Sequence, residues 1–135
     1  LATPGLTLGL QGLQFVATST TAHSQTLSYP MNLHSISTNG DNQDVVSMGT
    51  DAAIIAEVVA KNAFVVLAIE SLALCQAVDY LKIQGQISKT TQALYRFVRH
   101  NFPVVIEDRE MGTQLNDFLE KIKQFPFEKY ETPNL

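Results

Sequence analysis

The sequence has little charge and almost no cysteine. Charged residues make up 16% of the 135 residues, against roughly 25% in an average soluble chain. The net charge of -4 argues against a surface for nucleic acids or for anionic membranes. The one cysteine, Cys75, excludes an intramolecular disulfide framework and suits a reducing compartment, so we expect a cytoplasmic protein. Three scattered histidines exclude the usual structural zinc spacings, and we expect no metal site.

Charge is completely absent from residues 1–40, and the first charged residue is Asp41. Polar residues interrupt every apolar run in this segment, so no run reaches the ~18 residues that a membrane-spanning helix needs. We also expect no secretory signal in this segment, because it has no basic stretch before an apolar one. A segment too uncharged to face water needs cover, and the chain begins at Leu1 rather than at methionine. We therefore expect a piece of a longer protein, with a missing N-terminal part that covers this segment.

The spacing of apolar residues predicts an all-α fold. We expect a first helix over about residues 6–27, entered through the turn Thr3-Pro4-Gly5 and ended by Tyr29-Pro30. A long helix is expected to start between residues 44 and 51 and to run to about Lys82, with Gly85 ending it. Apolar residues surround this helix on all sides, which is typical of a helix buried in a large core or an oligomer bundle.

Two shorter helices are predicted after the long one. The first covers about residues 88–100, begins with Ser88 as a cap and is stopped by Pro103. The second covers about residues 113–124 and has an apolar face of Leu115, Phe118, Leu119 and Ile122. A charged turn lies between them at residues 107–110, and a loosely ordered tail is expected from residue 126 onward.

The most concentrated polar cluster is the run from Asn39 to Asp44, between the uncharged segment and the long helix. Amide side chains donate and accept hydrogen bonds at once, so in a dry pocket they can hold a substrate carboxylate or amine, or a cofactor carbonyl. The alternative is a turn and helix cap in which these amides satisfy loop backbone.

Other candidates have weaker support from the sequence. His23, His34 and Tyr29 carry groups capable of acid-base chemistry but no partner at a telling spacing, and a structural role is the simpler interpretation. A triad with Ser19 is rejected, because the sequence has no Gly-x-Ser-x-Gly elbow. Cys75 lies among leucines within the long helix and is expected to be an inert core thiol.

Several stretches resemble the aromatic amino acid ammonia-lyase family, which includes histidine, phenylalanine and tyrosine ammonia-lyases and the related aminomutases. The stretches are residues 9–22 (GLQGLQFVATSTTA), 34–36 (HSI), 42–50 (NQDVVSMGT), 67–72 (LAIESL), 76–79 (QAVD) and 107–109 (EDR). The NQDVVSMG run is the most specific of them. The resemblance implies a homotetramer built around a bundle of long helices, with the long helix of this chain at its centre.

The resemblance also implies a prosthetic group, 4-methylidene-imidazol-5-one (MIO), which the family makes from an Ala-Ser-Gly triad. This chain contains no Ala-Ser-Gly, so residues 1–135 would correspond to the C-terminal part of the enzyme, without the group and inactive alone. The remaining N-terminal part of the enzyme would be its partner.

The family's pattern also implies site residues. Asn42 and Gln43 would be catalytic, and Asn39, Asn42 and Gln43 would bind substrate. Histidine-specific members have a glutamate where this chain has Gln43, and plant phenylalanine lyases have a glutamate where it has Asn39. The pattern is thus closer to tyrosine-type members and predicts elimination of ammonia from L-tyrosine to give trans-4-coumarate. Histidine ammonia-lyase and aromatic 2,3-aminomutase are the alternatives, and a helical oligomerisation module is the non-enzymic one.

Overall fold

The computed structural model describes residues 5–126, which fold into helices joined by loops. α1 spans Gln11–Thr26, α2 Gly49–Leu81, α3 Lys89–Asn101 and α4 Gly112–Ile122, and a 3-10 helix spans Met31–His34. Within residues 5–126 there is no strand, only an isolated antiparallel bridge between Thr38 and Gln43. The all-α class is therefore confirmed. Thr3 and Pro4 of the predicted entry turn, and residues 127–135 of the predicted tail, lie outside the described residues.

α1 begins at Gln11, later than the expected residue 6. Gly5 and Gly9 have φ angles of 87° and 57°, which a right-handed helix cannot contain. The serine- and threonine-rich half of α1 is nevertheless helical. Its hydroxyl groups donate to backbone carbonyls one turn earlier, from Thr18 to Gln14, from Thr21 to Ala17 and from Ser24 to Thr20.

α2 begins and ends close to the predicted residues, but it is not Gly85 that ends it. It stops at Leu81, and Lys82 takes a left-handed conformation with φ 56°. The N–H groups of Lys82 and Ile83 then donate to the carbonyls of Asp79 and Val78, both at 3.2 Å, which satisfies the last turn of the helix. The prediction that Gly85 ends this helix was wrong, because Gly85 lies in the following turn.

The core lies between the C-terminal half of α2, α3 and α4. Phe102 and Phe118 are 1% and 0% exposed, and their rings meet edge to face with centroids 6.4 Å apart. Both short helices begin and end close to the predicted residues, and Ser88 caps α3 by accepting from the Thr91 N–H at 3.1 Å. The buried side chains of this core are Leu13, Ala68, Ile69, Leu72, Cys75, Val98, Phe102, Val105, Leu115, Phe118 and Ile122.

The other side of α2 is not covered by residues 5–126. Leu67 and Leu74 are 51% and 60% exposed, although the helix is 33 residues long and strongly apolar. By length and composition α2 is able to cross a membrane, and the core helix of a helical bundle meets the same criteria. Exposed apolar surface of this extent is typical of a helix that another polypeptide covers.

Candidate active site

The three predicted site residues lie together in one tight turn between the 3-10 helix and α2. Two backbone hydrogen bonds between Thr38 and Gln43, of 3.1 and 3.3 Å, close the turn, and the Asn42 N–H donates to the Asn39 carbonyl at 3.3 Å. Asn39, Gly40 and Asp41 have φ angles of 57°, 60° and 63°. Asn, Gly and Asp are the residue types that adopt this left-handed region most readily, so the local sequence favours the turn.

The polar side chains of the turn divide into two groups. The Ser37 hydroxyl donates to Asp41 Oδ1 at 2.7 Å, and the Thr38 hydroxyl donates to Gln43 Oε1 at 3.3 Å, so these groups hold the turn. The side-chain amides of Asn39 and Asn42 make no hydrogen bond within residues 5–126, and both residues are exposed. The turn thus presents Asn39 and Asn42 outward, with Gln43 Oε1 already fixed and its NH2 group available to a ligand.

A hydrogen bond closes the loop that contains the turn, and an apolar groove lies beside the residues that precede this loop. The Ser35 hydroxyl accepts from the Val46 N–H at 2.7 Å, which closes the longer loop around the turn. Just before the loop, the rings of Tyr29 and His34 lie with centroids 4.9 Å apart. Tyr29 also lines an apolar groove of about 490 Å³ between residues 27–31 and the alanine-rich first half of α2. The predicted acid-base candidates Tyr29 and His34 therefore contact each other, and neither forms a hydrogen bond or ion pair with a carboxylate of residues 5–126.

His23 and Cys75 have structural surroundings in this fold. His23 Nδ1 lies 3.2 Å from the side-chain amide of Asn62, which also donates to Ser24, and so joins α1 to α2. Cys75 is 6% exposed, and burial raises the pKa of its thiol to about 11. A thiol with that pKa is almost entirely protonated at neutral pH, as expected for an inert core residue.

A partly buried polar cluster at the end of α2 was not predicted from the sequence. Arg99 Nε on α3 lies 2.7 Å from Asp79 Oδ2, and the Tyr95 hydroxyl and Gln84 donate to the other carboxylate oxygen. Burial acts to raise the pKa of Asp79, but hydrogen bonds from Tyr95 and Gln84 and the charge of Arg99 outweigh it and lower that pKa. The hydrogen bond to Asp79 raises the pKa of Tyr95. Each polar group is satisfied by a neighbour, which indicates that the cluster holds the helices together.

The segment after α3 is fixed by side chains from elsewhere. Gln76 on α2 donates to the Val105 carbonyl at 2.8 Å and accepts from the Val105 N–H at 3.1 Å. The Asp108 carboxylate accepts from the N–H groups of Leu8 and Gly9. These bonds lower the pKa of Asp108. The Glu-Asp-Arg turn therefore holds the residues before α1 in place through hydrogen bonds to Asp108.

Residues 1–100 match the family model described as aromatic amino acid lyase. Over 123 residues the chain is 37% identical to a tyrosine ammonia-lyase of Cupriavidus metallidurans, covering 91% of this chain and 23% of that protein. It is 38% identical to a histidine ammonia-lyase of Caldanaerobacter subterraneus, covering 83% of the chain and 22% of that protein. An MIO-dependent tyrosine 2,3-aminomutase of Streptomyces globisporus is 40% identical and is matched over 83% of the chain and 21% of its own length.

Solved structures give the same result. The crystal structure of a tyrosine aminomutase from Streptomyces globisporus matches with a TM-score of 0.88 and 36% identity, over 96% of this chain and 24% of that one. A phenylalanine aminomutase of Pantoea agglomerans matches with a TM-score of 0.74 and 34% identity, over 90% of this chain and 23% of that one. The chain thus spans about a quarter of the length of the relatives that it matches.

Proposed function

The chain belongs to the aromatic amino acid lyase family, and on that basis we propose that it is part of an ammonia-lyase acting on L-tyrosine. The reaction eliminates ammonia and gives trans-4-coumarate. Support comes from the Asn42-Gln43 pair, which resembles tyrosine-type members, and from the similarity to a tyrosine ammonia-lyase. The observation that carries the proposal is the single turn that groups Asn39, Asn42 and Gln43.

This chain would supply the C-terminal helical part of the enzyme, with its amide-rich turn at the active site. The electrophile would be MIO, which the rest of the enzyme must supply because no Ala-Ser-Gly occurs in residues 1–135. The amides fit such a group, since those of Asn39 and Asn42 have no partner within residues 5–126. When bound, MIO supplies the electrophile that makes the amino group of the substrate a leaving group.

The residues of this chain would act by binding and orientation. Neutral amides at Asn42 and Gln43 orient the substrate amino group and the prosthetic group without adding charge. In a site closed to water, fixed dipoles of this kind stabilise charge that develops in the transition state. The hydrogen bond from Thr38 engages Gln43 Oε1, which leaves the NH2 group of this side chain as the donor for a ligand.

The assembly we propose is a cytoplasmic homotetramer in which further polypeptide covers α2. Its support is the apolar exposed side of α2 and the single free cysteine. Histidine ammonia-lyase and aromatic 2,3-aminomutase are the alternatives, since a relative of each kind also matches the chain. A helical module that only mediates association is the non-enzymic alternative, and it is favoured by the same exposed side of α2.

The test uses the full-length protein incubated with tyrosine, histidine or phenylalanine. The ultraviolet spectrum identifies coumarate, urocanate or cinnamate, and chromatography detects a β-amino acid from a mutase. Gln43→Glu is expected to lower the activity on tyrosine. It should also raise the activity on histidine relative to that on tyrosine, because a carboxylate can pair with a basic imidazole. Gln86→Glu, an exposed glutamine outside the turn, is the matched control and should change neither rate. Absence of any product, or no relative gain for histidine, would contradict the proposal.

A further inference from the structure

Thr38 and Gln43 form a directly opposed pair in the turn that carries the candidate site residues. Their backbones exchange two hydrogen bonds: the Thr38 N–H donates to the Gln43 carbonyl at 3.1 Å, and the Gln43 N–H donates to the Thr38 carbonyl at 3.3 Å. Residues opposed in this antiparallel manner have their side chains on the same side of the pair, with Cβ atoms roughly 5 Å apart. The backbone of the turn therefore places the Thr38 hydroxyl beside the Gln43 amide.

The Thr38 hydroxyl also decides which end of the Gln43 amide is free. It donates to Gln43 Oε1 at 3.3 Å and makes no other hydrogen bond within residues 5–126. If the amide were turned round, its NH2 group would donate to Thr38 Oγ1, and the hydroxyl proton would have no acceptor among these residues. A hydroxyl without an acceptor costs free energy in a site closed to water. The observed orientation therefore leaves the NH2 group for a ligand.

We propose that Thr38 is a positioning residue of the active site, which acts through Gln43 and makes that residue a hydrogen-bond donor toward the substrate. This inference rests on the ammonia-lyase function proposed above. The substrate group that meets Gln43 is then an acceptor oxygen, either of the carboxylate or of a phenol side chain. Ammonium and imidazolium groups only donate, so they are disfavoured at Gln43. Asn42, whose amide has no hydrogen bond within residues 5–126, keeps both a donor and an acceptor for the amino group.

The neighbouring side chains of the turn do not share this arrangement. The amides of Asn39 and Asn42 make no hydrogen bond within residues 5–126, so either end of each amide can face a ligand. The Ser37 hydroxyl donates to Asp41 Oδ1 at 2.7 Å and so holds the turn without contacting an amide. Thr38 is thus the hydroxyl residue of this turn that fixes the direction of an amide, and Ser37 provides the matched control.

A glutamate at position 43 removes the property on which the proposal depends. The two oxygens of a carboxylate are equivalent acceptors, so a hydroxyl beside them has no orientation to fix. Thr38→Val removes the hydroxyl but keeps the shape of the side chain and both backbone hydrogen bonds. Its effect on catalysis should be present with Gln43 and nearly absent in the Gln43→Glu background. Such a dependence of one substitution on the other separates an action through the amide from a general loosening of the turn.

The experiment measures kcat/KM of the full-length protein on L-tyrosine and on L-phenylalanine. We expect Thr38→Val to lower kcat/KM on tyrosine roughly two- to tenfold, which is the range of one hydrogen bond, and Thr38→Ser to restore it. Equal losses on the two substrates would identify the acceptor as an oxygen that both share, such as the carboxylate. A loss on tyrosine alone would identify it as the phenol oxygen, and both outcomes support the proposal.

Controls separate the failure of this inference from failure of the proposed function. Ser37→Ala should have the same effect with Gln43 and in the Gln43→Glu background, because Ser37 contacts no amide. Thermal unfolding shows that each variant is folded, and Thr38→Ala replaces Thr38→Val if the latter does not fold.

Two results would overturn the inference while the wild type still forms coumarate. The first is a Thr38→Val variant as active as the wild type, and the second is an equal effect of Thr38→Val in both backgrounds. If the wild type forms no coumarate, the proposed function fails and the role of Thr38 fails with it.

Discussion

The carboxylate of Asp108 accepts a hydrogen bond from the backbone N–H of Gly9 at 2.8 Å and so joins the loop after α3 to the residues before α1. The Leu8 N–H donates to the other carboxylate oxygen at 2.9 Å. The two residues are far apart in the sequence, and the contact fixes the chain at the point where Gly9 turns into the helix. The charge state of Asp108 should therefore affect how firmly α1 is held.

Asp108→Asn should make the midpoint of thermal unfolding vary less with pH in the acid range. The hydrogen bonds from Leu8 and Gly9 lower the pKa of Asp108 in the folded state, so its stabilisation is present above the unfolded value of about 3.9 and is lost as the pH falls through the folded value. At neutral pH the midpoint of thermal unfolding should be higher for the wild type than for Asp108→Asn. This difference between the two midpoints should disappear below about pH 4. Asp117→Asn, at an exposed residue of α4 without a hydrogen bond in residues 5–126, is the control. If the difference between the wild-type and Asp108→Asn midpoints does not change with pH, the ionised Asp108 carboxylate does not provide this stabilisation.

Asp79→Asn should destabilise the protein by about 1–3 kcal/mol, because it leaves the Arg99 charge partly buried without its partner. The side chains of Arg99 and Asp79 are only 12% and 15% exposed. The measurement is thermal unfolding of the full-length protein at fixed concentration. Glu57→Gln removes the Lys61–Glu57 pair, whose side chains are 65% and 64% exposed, and should change stability much less. Equal effects of the two substitutions would contradict a special role for the pair on α2 and α3.

Gln76→Met should loosen the segment between α3 and α4. The substitution keeps the length of the side chain but removes both hydrogen bonds to the Val105 backbone, which is itself 2% exposed. A buried N–H and carbonyl without partners cost roughly 1–3 kcal/mol, so we expect a lower unfolding midpoint and faster hydrogen exchange at Val105. Gln86→Met, at an exposed glutamine, is the control. If the hydrogen exchange of the Val105 N–H is unchanged in Gln76→Met, water replaces the Gln76 amide at little cost in free energy.

The features that were predictable from the sequence depend on neighbouring residues. Ser88 was recognised as a cap because its acceptor oxygen and the Thr91 N–H lie within one helical turn. Asn39 and Gln43 lie in one turn, as neighbours in the sequence are able to do. In contrast, the start of α1 depends on Gly9 and on a carboxylate from residue 108, and the pairing of Asp79 with Arg99 depends on how α2 and α3 pack. No local pattern contains these contacts.

The end of α2 offers a last test, because Lys82 holds a left-handed conformation with φ 56° where the sequence suggested that Gly85 would end the helix. A residue with a Cβ atom pays roughly 1 kcal/mol for this conformation, whereas glycine adopts it freely. Lys82→Gly should therefore raise the unfolding midpoint, by a margin reduced by the greater freedom of glycine in the unfolded chain. Lys82→Ala separates the backbone effect from loss of the lysine side chain and should give no gain. If Lys82→Gly is no more stable than Lys82→Ala, the left-handed conformation does not limit the stability of this helix end.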